Sequence, residues 1–174
     1  MKSPGNSRHA GRTARARPTI DIVVESPLWR RRREAKQLVR RAITEAASAV
    51  ATSACELAVV LTDDSTIQSL NRHWRDRDGA TNVLSFPAAT ANGARGKDRL
   101  LGDIVIAYET TQREARAGRK PFAHHLAHLA VHGFLHLAGY DHEADEEADA
   151  MERLETAILA RLDVPDPYVA RGNA

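Results

Sequence analysis

HGFLHLAGYDH, the stretch from His132 to His142, contains three histidines whose spacing predicts a metal site. His132 and His136 are four residues apart, so on a helix their side chains lie one turn apart on the same face. Gly139 favours the end of that helix because glycine readily adopts positive φ, and the following turn can return His142 to the other two imidazoles. Three imidazoles with one coordination position left open are typical of a catalytic zinc rather than a structural one. The spacing therefore predicts one zinc ion per chain, held by His132, His136 and His142, although histidines on such a helix can also be partly buried core residues.

The helix that carries these histidines is predicted to be buried. It follows Pro121 and is apolar on nearly every side, as expected for a helix that passes through the middle of a domain. Its apolar residues are Leu126, Ala127, Leu129, Ala130, Val131, Phe134, Leu135 and Leu137. By spacing alone, His128 and His132 could also be the ligand pair. We favour His132 and His136 as the pair, because only they lie close enough to the turn at Gly139 for His142 to complete the site. His128 is then expected beside the ligands or in the core.

Composition limits the class of protein. A length of 174 residues suits one domain with a sizeable core. No apolar run is long enough for a membrane span or a signal peptide. The single cysteine, Cys55, excludes an internal disulfide and a thiolate zinc cage. We therefore expect a cytoplasmic protein that does not associate with membranes.

The start of the chain differs in charge from the rest. Its first 17 residues contain five basic residues and no acid, which leaves 20 basic and 23 acidic residues elsewhere. We expect residues 1–18 to form a disordered basic tail, residues 19–162 to form the domain, and residues 163–174 to form a C-terminal tail. Non-specific affinity for RNA is one interpretation of the basic tail. A mitochondrial transit peptide is another, although the tail has few apolar residues with which to form an amphipathic face.

Strand and helix patterns alternate through the domain. Ile20, Ile22 and Val24 show the period of a strand, and further strands are predicted near residues 56–62, 81–86 and 101–108. Helices are predicted near residues 28–51, 63–74, 109–117 and 145–162, besides the one that carries the histidines. These elements predict an α+β fold: a single layered domain with a roughly four-stranded mixed sheet, about five helices and a buried central helix that carries the metal-binding histidines.

The helix predicted over residues 28–51 is strongly basic. Within twelve positions it has seven basic residues and one acid: Arg30, Arg31, Arg32, Arg33, Glu34, Lys36, Arg40 and Arg41. Arg32, Lys36 and Arg40 form an i, i+4, i+8 row. The row is interpreted either as a solvated helix face or as a contact surface for phosphates.

The histidine spacing also resembles the HExxHxxGxxH site of metzincin proteases. In those proteases the residue after the first histidine is a glutamate that acts as general base. This chain has Gly133 at that position. The difference leaves peptide hydrolysis without its proton acceptor and disfavours a metalloprotease.

The complete string HGFLHLAGYDH, followed by an acidic helix, resembles the signature of the YbeY family of bacterial rRNA maturation factors and metal-dependent endoribonucleases. Three other segments agree with that family: LNRHWRDRDGATNVLSFP at residues 70–87, LGDIVIA at residues 101–107, and the helix before the histidines. The resemblance covers roughly residues 20–162 and omits both tails.

The resemblance implies a hydrolase that cleaves single-stranded RNA with zinc on His132, His136 and His142. It implies a role in 3′-end maturation of small-subunit rRNA and in ribosome quality control, with rRNA and the ribosome or ribosomal proteins as partners. A metalloprotease-like hydrolase remains an alternative, as does a non-catalytic ribosome-associated factor whose metal stabilises the fold.

Two further residues follow from the resemblance and the pattern around them. The resemblance implies that Arg75 is the functional arginine, since a guanidinium can hold two phosphate oxygens and stabilise transition-state charge. The alternative is that Arg75 forms a salt bridge with Asp76, Asp78 or an acidic helix residue. Asp103 opens an otherwise apolar strand, where it could either orient a ligand imidazole or cap the end of the strand.

Overall fold

Strands and helices alternate along the chain in the computed structural model, which describes residues 17–52, 54–89, 99–140 and 145–169. In chain order the elements are β1 (Thr19–Val24), a 3₁₀ helix (Pro27–Arg31), α1 (Ala35–Ala49), β2 (Cys55–Thr62), α2 (Asp64–Arg75), β3 (Val83–Pro87), β4 (Arg99–Ala107), α3 (Tyr108–Ala117), α4 (Phe122–Leu137) and α5 (Asp145–Ala160). Within these ranges the predicted α+β domain, with four strands and five α-helices, is confirmed. The predicted basic tail lies outside the described residues apart from residues 17 and 18.

The four strands form one mixed sheet in the order β1-β2-β4-β3. β1 pairs with β2 and β2 pairs with β4 in parallel, whereas β3 pairs with β4 in the antiparallel direction. Ser85 of β3 lies opposite Ile104 of β4, and Val83 lies opposite Ile106. Because side chains alternate between the faces of a sheet, these four residues share one face, which α4 covers.

Helix α4 is the centre of the core, as its sequence predicts. It packs against β3, β4, α1, α3 and α5. Its buried residues are Leu126, Ala127, Leu129, Ala130, Val131, Gly133, Phe134, Leu135 and Leu137. Burial on this scale is the main favourable contribution to folding, because apolar surface is removed from water on all sides of the helix.

Gly133 lets α4 approach the sheet closely. A Cβ at this position would lie 2.9 Å from Ile104 Cγ2 and 3.3 Å from both Ser85 Oγ and Val83 Cγ2. The Ser85 hydroxyl also donates a hydrogen bond to the Gly133 carbonyl at 3.0 Å. The residue that distinguishes this chain from the metzincin pattern therefore faces the sheet.

The first helix starts later than the sequence pattern predicts. Helicity was expected from Leu28, but a 3₁₀ turn precedes α1, which begins at Ala35. Ser26 caps the 3₁₀ turn by accepting a hydrogen bond from the Leu28 amide. Trp29 is buried and donates its indole N–H to the Thr62 carbonyl at 2.8 Å. This hydrogen bond to a distant strand fixes the 3₁₀ turn. The arginines that follow have like charges, so side chains four residues apart do not stabilise a continuous helix here.

The prediction that Arg32, Lys36 and Arg40 form one row on a helix face is wrong, because Arg32 precedes α1. Its guanidinium lies 4.2 Å from the centroid of the Phe122 ring and donates a hydrogen bond to Gln112 at 2.6 Å. Arg40 donates a hydrogen bond to the Ile20 carbonyl at 2.9 Å. Two of the three members of the row thus have structural partners, and contact of these residues with phosphates stays a prediction.

None of the described helices combines the length and the apolar character that crossing a membrane requires.

We expect Gly133→Ala to lower the free energy of unfolding by about 1 kcal/mol. Overpacking against Ile104 costs about 1–3 kcal/mol, and the higher helix propensity of alanine offsets at most about 1 kcal/mol of that cost. Gly133→Glu should cost more, because its carboxylate would be buried without a partner. Urea unfolding measures both effects. Gly79→Ala is a suitable control, because nothing lies within 4 Å of a Cβ at that position; equal stability of all three variants would contradict the close contact.

Asp63 generates a second prediction, because it caps α2 by accepting a hydrogen bond from the Thr66 amide at 3.0 Å. That hydrogen bond lowers the pKa of Asp63. Asp63→Ala should therefore cost about 0.5–2 kcal/mol near neutral pH. Because the pKa of Asp63 is lower in the folded state, its carboxylate stabilises the fold fully at pH values above the unfolded-state pKa of about 3.9. This contribution disappears as the pH falls through the folded-state pKa.

Urea titrations near neutral pH and near pH 3 check this dependence. The difference in free energy of unfolding between the native chain and Asp63→Ala should be smaller near pH 3 than near neutral pH. Asp63→Asn keeps an uncharged capping acceptor, so its stability relative to Asp63→Ala should change little with pH. A gap that widened in acid would refute the capping role.

Candidate functional site

His132 and His136 converge on one point, as their spacing predicts. Both lie on α4, and their Nε2 atoms are 3.1 Å apart. Two nitrogen ligands of a tetrahedral zinc with bonds of about 2.0–2.1 Å would be about 3.4 Å apart. The pair therefore has nearly the separation that two ligands of one zinc ion need.

The third predicted ligand, His142, lies outside the described residues, which omit residues 141–144. Within the described part of the chain, no group of three or more histidine, cysteine, aspartate or glutamate side chains could hold a metal ion. The turn that should lead to His142 is present: α4 ends at Leu137 and Gly139 adopts a φ of +96°. The ligand set of His132, His136 and His142 stays a prediction.

A buried carboxylate, Glu155 of α5, holds His132. Its side chain has no exposed surface. One oxygen lies 2.7 Å from His132 Nδ1, and the other lies 3.0 Å from His128 Nε2 and accepts a hydrogen bond from the Tyr168 hydroxyl. A histidine that donates its Nδ1 proton to a carboxylate presents Nε2 as the electron pair for a metal.

The charge of Glu155 is fixed by these neighbours. Burial by itself raises the pKa of Glu155, but hydrogen bonds from His128, His132 and Tyr168 outweigh it and lower the pKa to about 2. Burial, and then the adjacent carboxylate, raise the pKa of Tyr168, so the phenol remains a donor. Glu155 is therefore an anion that is paired on both oxygens, as a buried charge requires.

The sequence interpretation missed Glu155, because it described the last helix only as acidic. A signal was present: Glu155 is four residues after Met151 and three before Ile158, and all three are buried on α5. A charged residue in an apolar stripe needs partners inside the protein. Tyr168 carried no comparable signal, because it belongs to the predicted C-terminal tail.

Two other predictions can be compared with the geometry. His128 contacts Glu155, which places it beside the histidine pair, as expected. Both interpretations of Asp103 are wrong. It lies in the middle of β4 rather than at its end, and strand alternation turns it away from α4, because its neighbour Ile104 contacts Gly133.

Arg75 shares a cleft with the histidine pair. The cleft has a volume of about 710 Å³. It is lined by Arg75, Arg77, Thr81, Asn82, Val83, Ser85, Pro87, His132, His136, Gly139 and Tyr140. The C-terminus of α2, the edge strand β3 and the end of α4 thus bring distant parts of the sequence together. Guanidinium groups and imidazoles that face the same space suit a phosphate-containing ligand.

The salt-bridge alternative for Arg75 is not seen in the described part of the chain. Asp78 instead pairs with Arg72 at 2.5 Å. Asp76 adopts a left-handed φ of +53° and ends α2. The Arg75 side chain is exposed, and no hydrogen bond or ion pair to a described residue engages it. Its catalytic role stays a prediction.

Gly133 also limits the chemistry of the cleft. The glutamate of the metzincin pattern follows the first histidine, and here that position faces the sheet at Ile104. A side chain at this position would meet Ile104 and also Val83 and Ser85, two residues that line the cleft. Because glycine has no carboxylate, this position cannot supply the general base that a metzincin protease has there.

Comparisons with known proteins agree with these observations. Residues 25–163 match the family model described as "Endoribonuclease YbeY". A Bradyrhizobium sp. (strain BTAi1) protein with that name is 54% identical over 159 residues, which is 88% of this chain and 94% of the relative. A Rhodopseudomonas palustris (strain BisB18) protein with the same name is 56% identical over 156 residues, or 87% of this chain and 92% of the relative.

A solved structure shares the fold. The solution structure of TM1509 from Thermotoga maritima superposes with a TM-score of 0.51 and covers 90% of this chain and 100% of that protein, at 22% sequence identity. The similarity to this structure supports the fold alone. The family match and the two bacterial relatives together show that the chain belongs to the YbeY endoribonuclease family.

Proposed function

We propose that this protein is a zinc-dependent endoribonuclease that hydrolyses single-stranded RNA. The observation that carries the proposal is the convergence of His132 and His136 in the cleft that Arg75 lines. The names of the relatives support an RNA substrate. The biological setting that we propose is the cytoplasm, with a role in 3′-end maturation of small-subunit rRNA and in ribosome quality control. The ribosome or ribosomal proteins are the proposed partners.

Zinc fits the residues that are present. Imidazole nitrogens are suitable ligands for zinc, and the Nε2 separation of 3.1 Å is compatible with chelation by His132 and His136. His142 is the proposed third ligand. When bound, zinc supplies Lewis-acid chemistry, by polarising a phosphate oxygen and making water more acidic.

Residues around the ligands would position them and the substrate. Glu155 keeps the Nδ1 proton of His132 on the side away from the cleft, so that Nε2 is directed toward His136. Arg75 would hold the phosphate and stabilise the charge that develops on its oxygens. An unpaired strand can adapt to such a cleft, whereas an A-form duplex holds its phosphates in a fixed geometry.

We expect His132→Ala, His136→Ala and His142→Ala each to abolish stoichiometric zinc binding, because each removes one of three ligands. His128→Ala should retain the zinc. Metal content after dialysis, measured by mass spectrometry, checks this. If His128→Ala lost the zinc while His142→Ala kept it, the ligand assignment would be wrong.

The Glu155→Gln variant tests the positioning of His132. Loss of the carboxylate should weaken zinc affinity about 10- to 100-fold, as is typical when the partner of a ligand histidine is removed. Competition with a chromophoric chelator measures this affinity without reference to activity. Glu152→Gln removes the same charge from an exposed position of α5 and should leave the affinity unchanged.

Arg75→Ala should reduce cleavage of single-stranded RNA about a hundredfold or more, with zinc content and melting temperature nearly unchanged, because one electrostatic donor is lost from the transition state. Arg75→Lys should restore only part of the rate, since an ammonium cannot form the bidentate contact. Arg72→Ala is a matched control on the same helix. Arg72 pairs with Asp78, so its loss should leave the cleavage rate nearly unchanged. Full activity of a stable Arg75→Ala protein would remove Arg75 from the active site.

The same preparations separate the alternatives. Cleavage of single-stranded RNA that stops with chelator and exceeds cleavage of duplex RNA or casein supports the proposal. Equal cleavage of casein and RNA would favour a metalloprotease. A non-catalytic ribosome-associated factor predicts no metal-dependent cleavage of either substrate.

A further inference from the structure

Trp74 is exposed to an unusual degree for a tryptophan. It is 65% exposed, more than any other aromatic side chain among the described residues. An indole ring is a large apolar group that proteins usually bury. The other tryptophan, Trp29, follows that rule at 2% exposure. The exposed position of Trp74 is therefore a feature that the packing of the core does not explain.

Trp74 directly precedes Arg75, which lines the cleft that holds the histidine pair. Its ring contacts Phe86 of the edge strand β3, whose side chain points to the face opposite that of the lining residues Ser85 and Pro87. The ring centroids of Trp74 and Phe86 are 6.3 Å apart with an interplanar angle of 65°. The ring of His73 is 4.9 Å from Trp74 at 85°. Both contacts are edge-to-face and not stacked, and most of the indole remains open to solvent.

We propose that Trp74 stacks on an unpaired nucleobase of the RNA while the adjoining phosphate lies at Arg75. This inference rests on the proposed endoribonuclease function and adds a binding residue to it. Stacking on an aromatic ring accepts any base, since every base has a π-face. It also requires that the base be free of a duplex, so Trp74 would contribute selectivity for single strands that does not depend on the metal.

The surroundings of Trp74 favour nucleic acid over a protein partner. Protein-docking patches are contiguous apolar surfaces, whereas the exposed neighbours of Trp74 are polar or charged: Arg72, His73, Arg75, Asp76 and Arg77. Arg72 is neutralised by Asp78, which leaves Arg75 and Arg77 as the cations that line the cleft. An exposed aromatic ring beside two cations matches the combination of base and phosphate in a single strand.

Intrinsic fluorescence can report on this contact, because the sequence has two tryptophans. Trp29 is buried, with its indole N–H bonded to Thr62, so a soluble ligand reaches only Trp74. A short single-stranded oligoribonucleotide should quench the emission of the zinc-loaded protein. A hairpin duplex and inorganic pyrophosphate, which offer phosphates without a free base, should quench it much less.

Trp74→Ala should weaken binding of the single strand about 5- to 140-fold, which is the equivalent of the 1–3 kcal/mol typical for one stacked base. Duplex binding, zinc content and melting temperature should remain unchanged. Trp74→Phe should restore most of the affinity, since phenylalanine keeps an aromatic face. In cleavage assays the loss should fall mainly on KM and not on kcat, in contrast to Arg75→Ala.

Val23→Ala is the matched control, because Val23 is an exposed apolar residue on β1, at the opposite edge of the sheet from β3. Its affinity for RNA should equal that of the native chain. If the native protein cleaves RNA but Trp74→Ala binds the single strand equally well, the stacking role is refuted while the proposed function stands. If Trp74→Ala instead loses binding to small ribosomal subunits with unchanged affinity for RNA, Trp74 contacts a protein and the inference is likewise overturned. If the native protein neither binds nor cleaves RNA, the proposed function itself fails.

Discussion

The close contact between α4 and the sheet at Gly133 is the constraint on which the site depends. With Gly133 against Ile104, the rotation of α4 about its axis is fixed. Successive residues of a helix are separated by about 100°, so positions 132 and 136 are turned by roughly 100° and 60° to the same side of the residue that faces the sheet. The packing of one small residue therefore directs both imidazoles into the cleft. The same residue occupies the position at which a metzincin protease has its general base, and glycine has no carboxylate to act as one.

The buried carboxylate of Glu155 is the second fixed point, and it connects three parts of the chain. Through its two oxygens it joins His128 and His132 of α4 to the C-terminal segment at Tyr168. A buried anion is tolerated only when its hydrogen bonds are satisfied. The orientation of His132 and the docking of residues 163–169 on the domain, where Val164 joins the core, are therefore parts of one network. In the proposed enzyme, this network gives His132 the tautomer that a metal ligand needs.

The cleft itself is assembled from elements that are distant in sequence. The end of α2 supplies Arg75, the edge strand β3 supplies Ser85, and the end of α4 supplies the histidines. The loops and edge of the sheet give the cleft its polar lining, while the core behind it is apolar. This division between a rigid packed helix and an open charged rim suits a phosphodiester substrate, which must be held by cations and yet remain accessible to water.

The sequence by itself determined the α+β class, the four strands, the five helices, the buried character of α4 and the same-face position of His132 and His136. These features follow from local periodicity, which is a property of neighbouring residues. Tertiary structure decided the strand order, the late start of α1 after the anchored Trp29, the inward position of Glu155, the sheet face of Asp103 and the shared cleft of Arg75 and the histidines. Each of these depends on contacts between residues far apart in the chain. Periodicity tells which residues share a face, but only packing decides what that face meets.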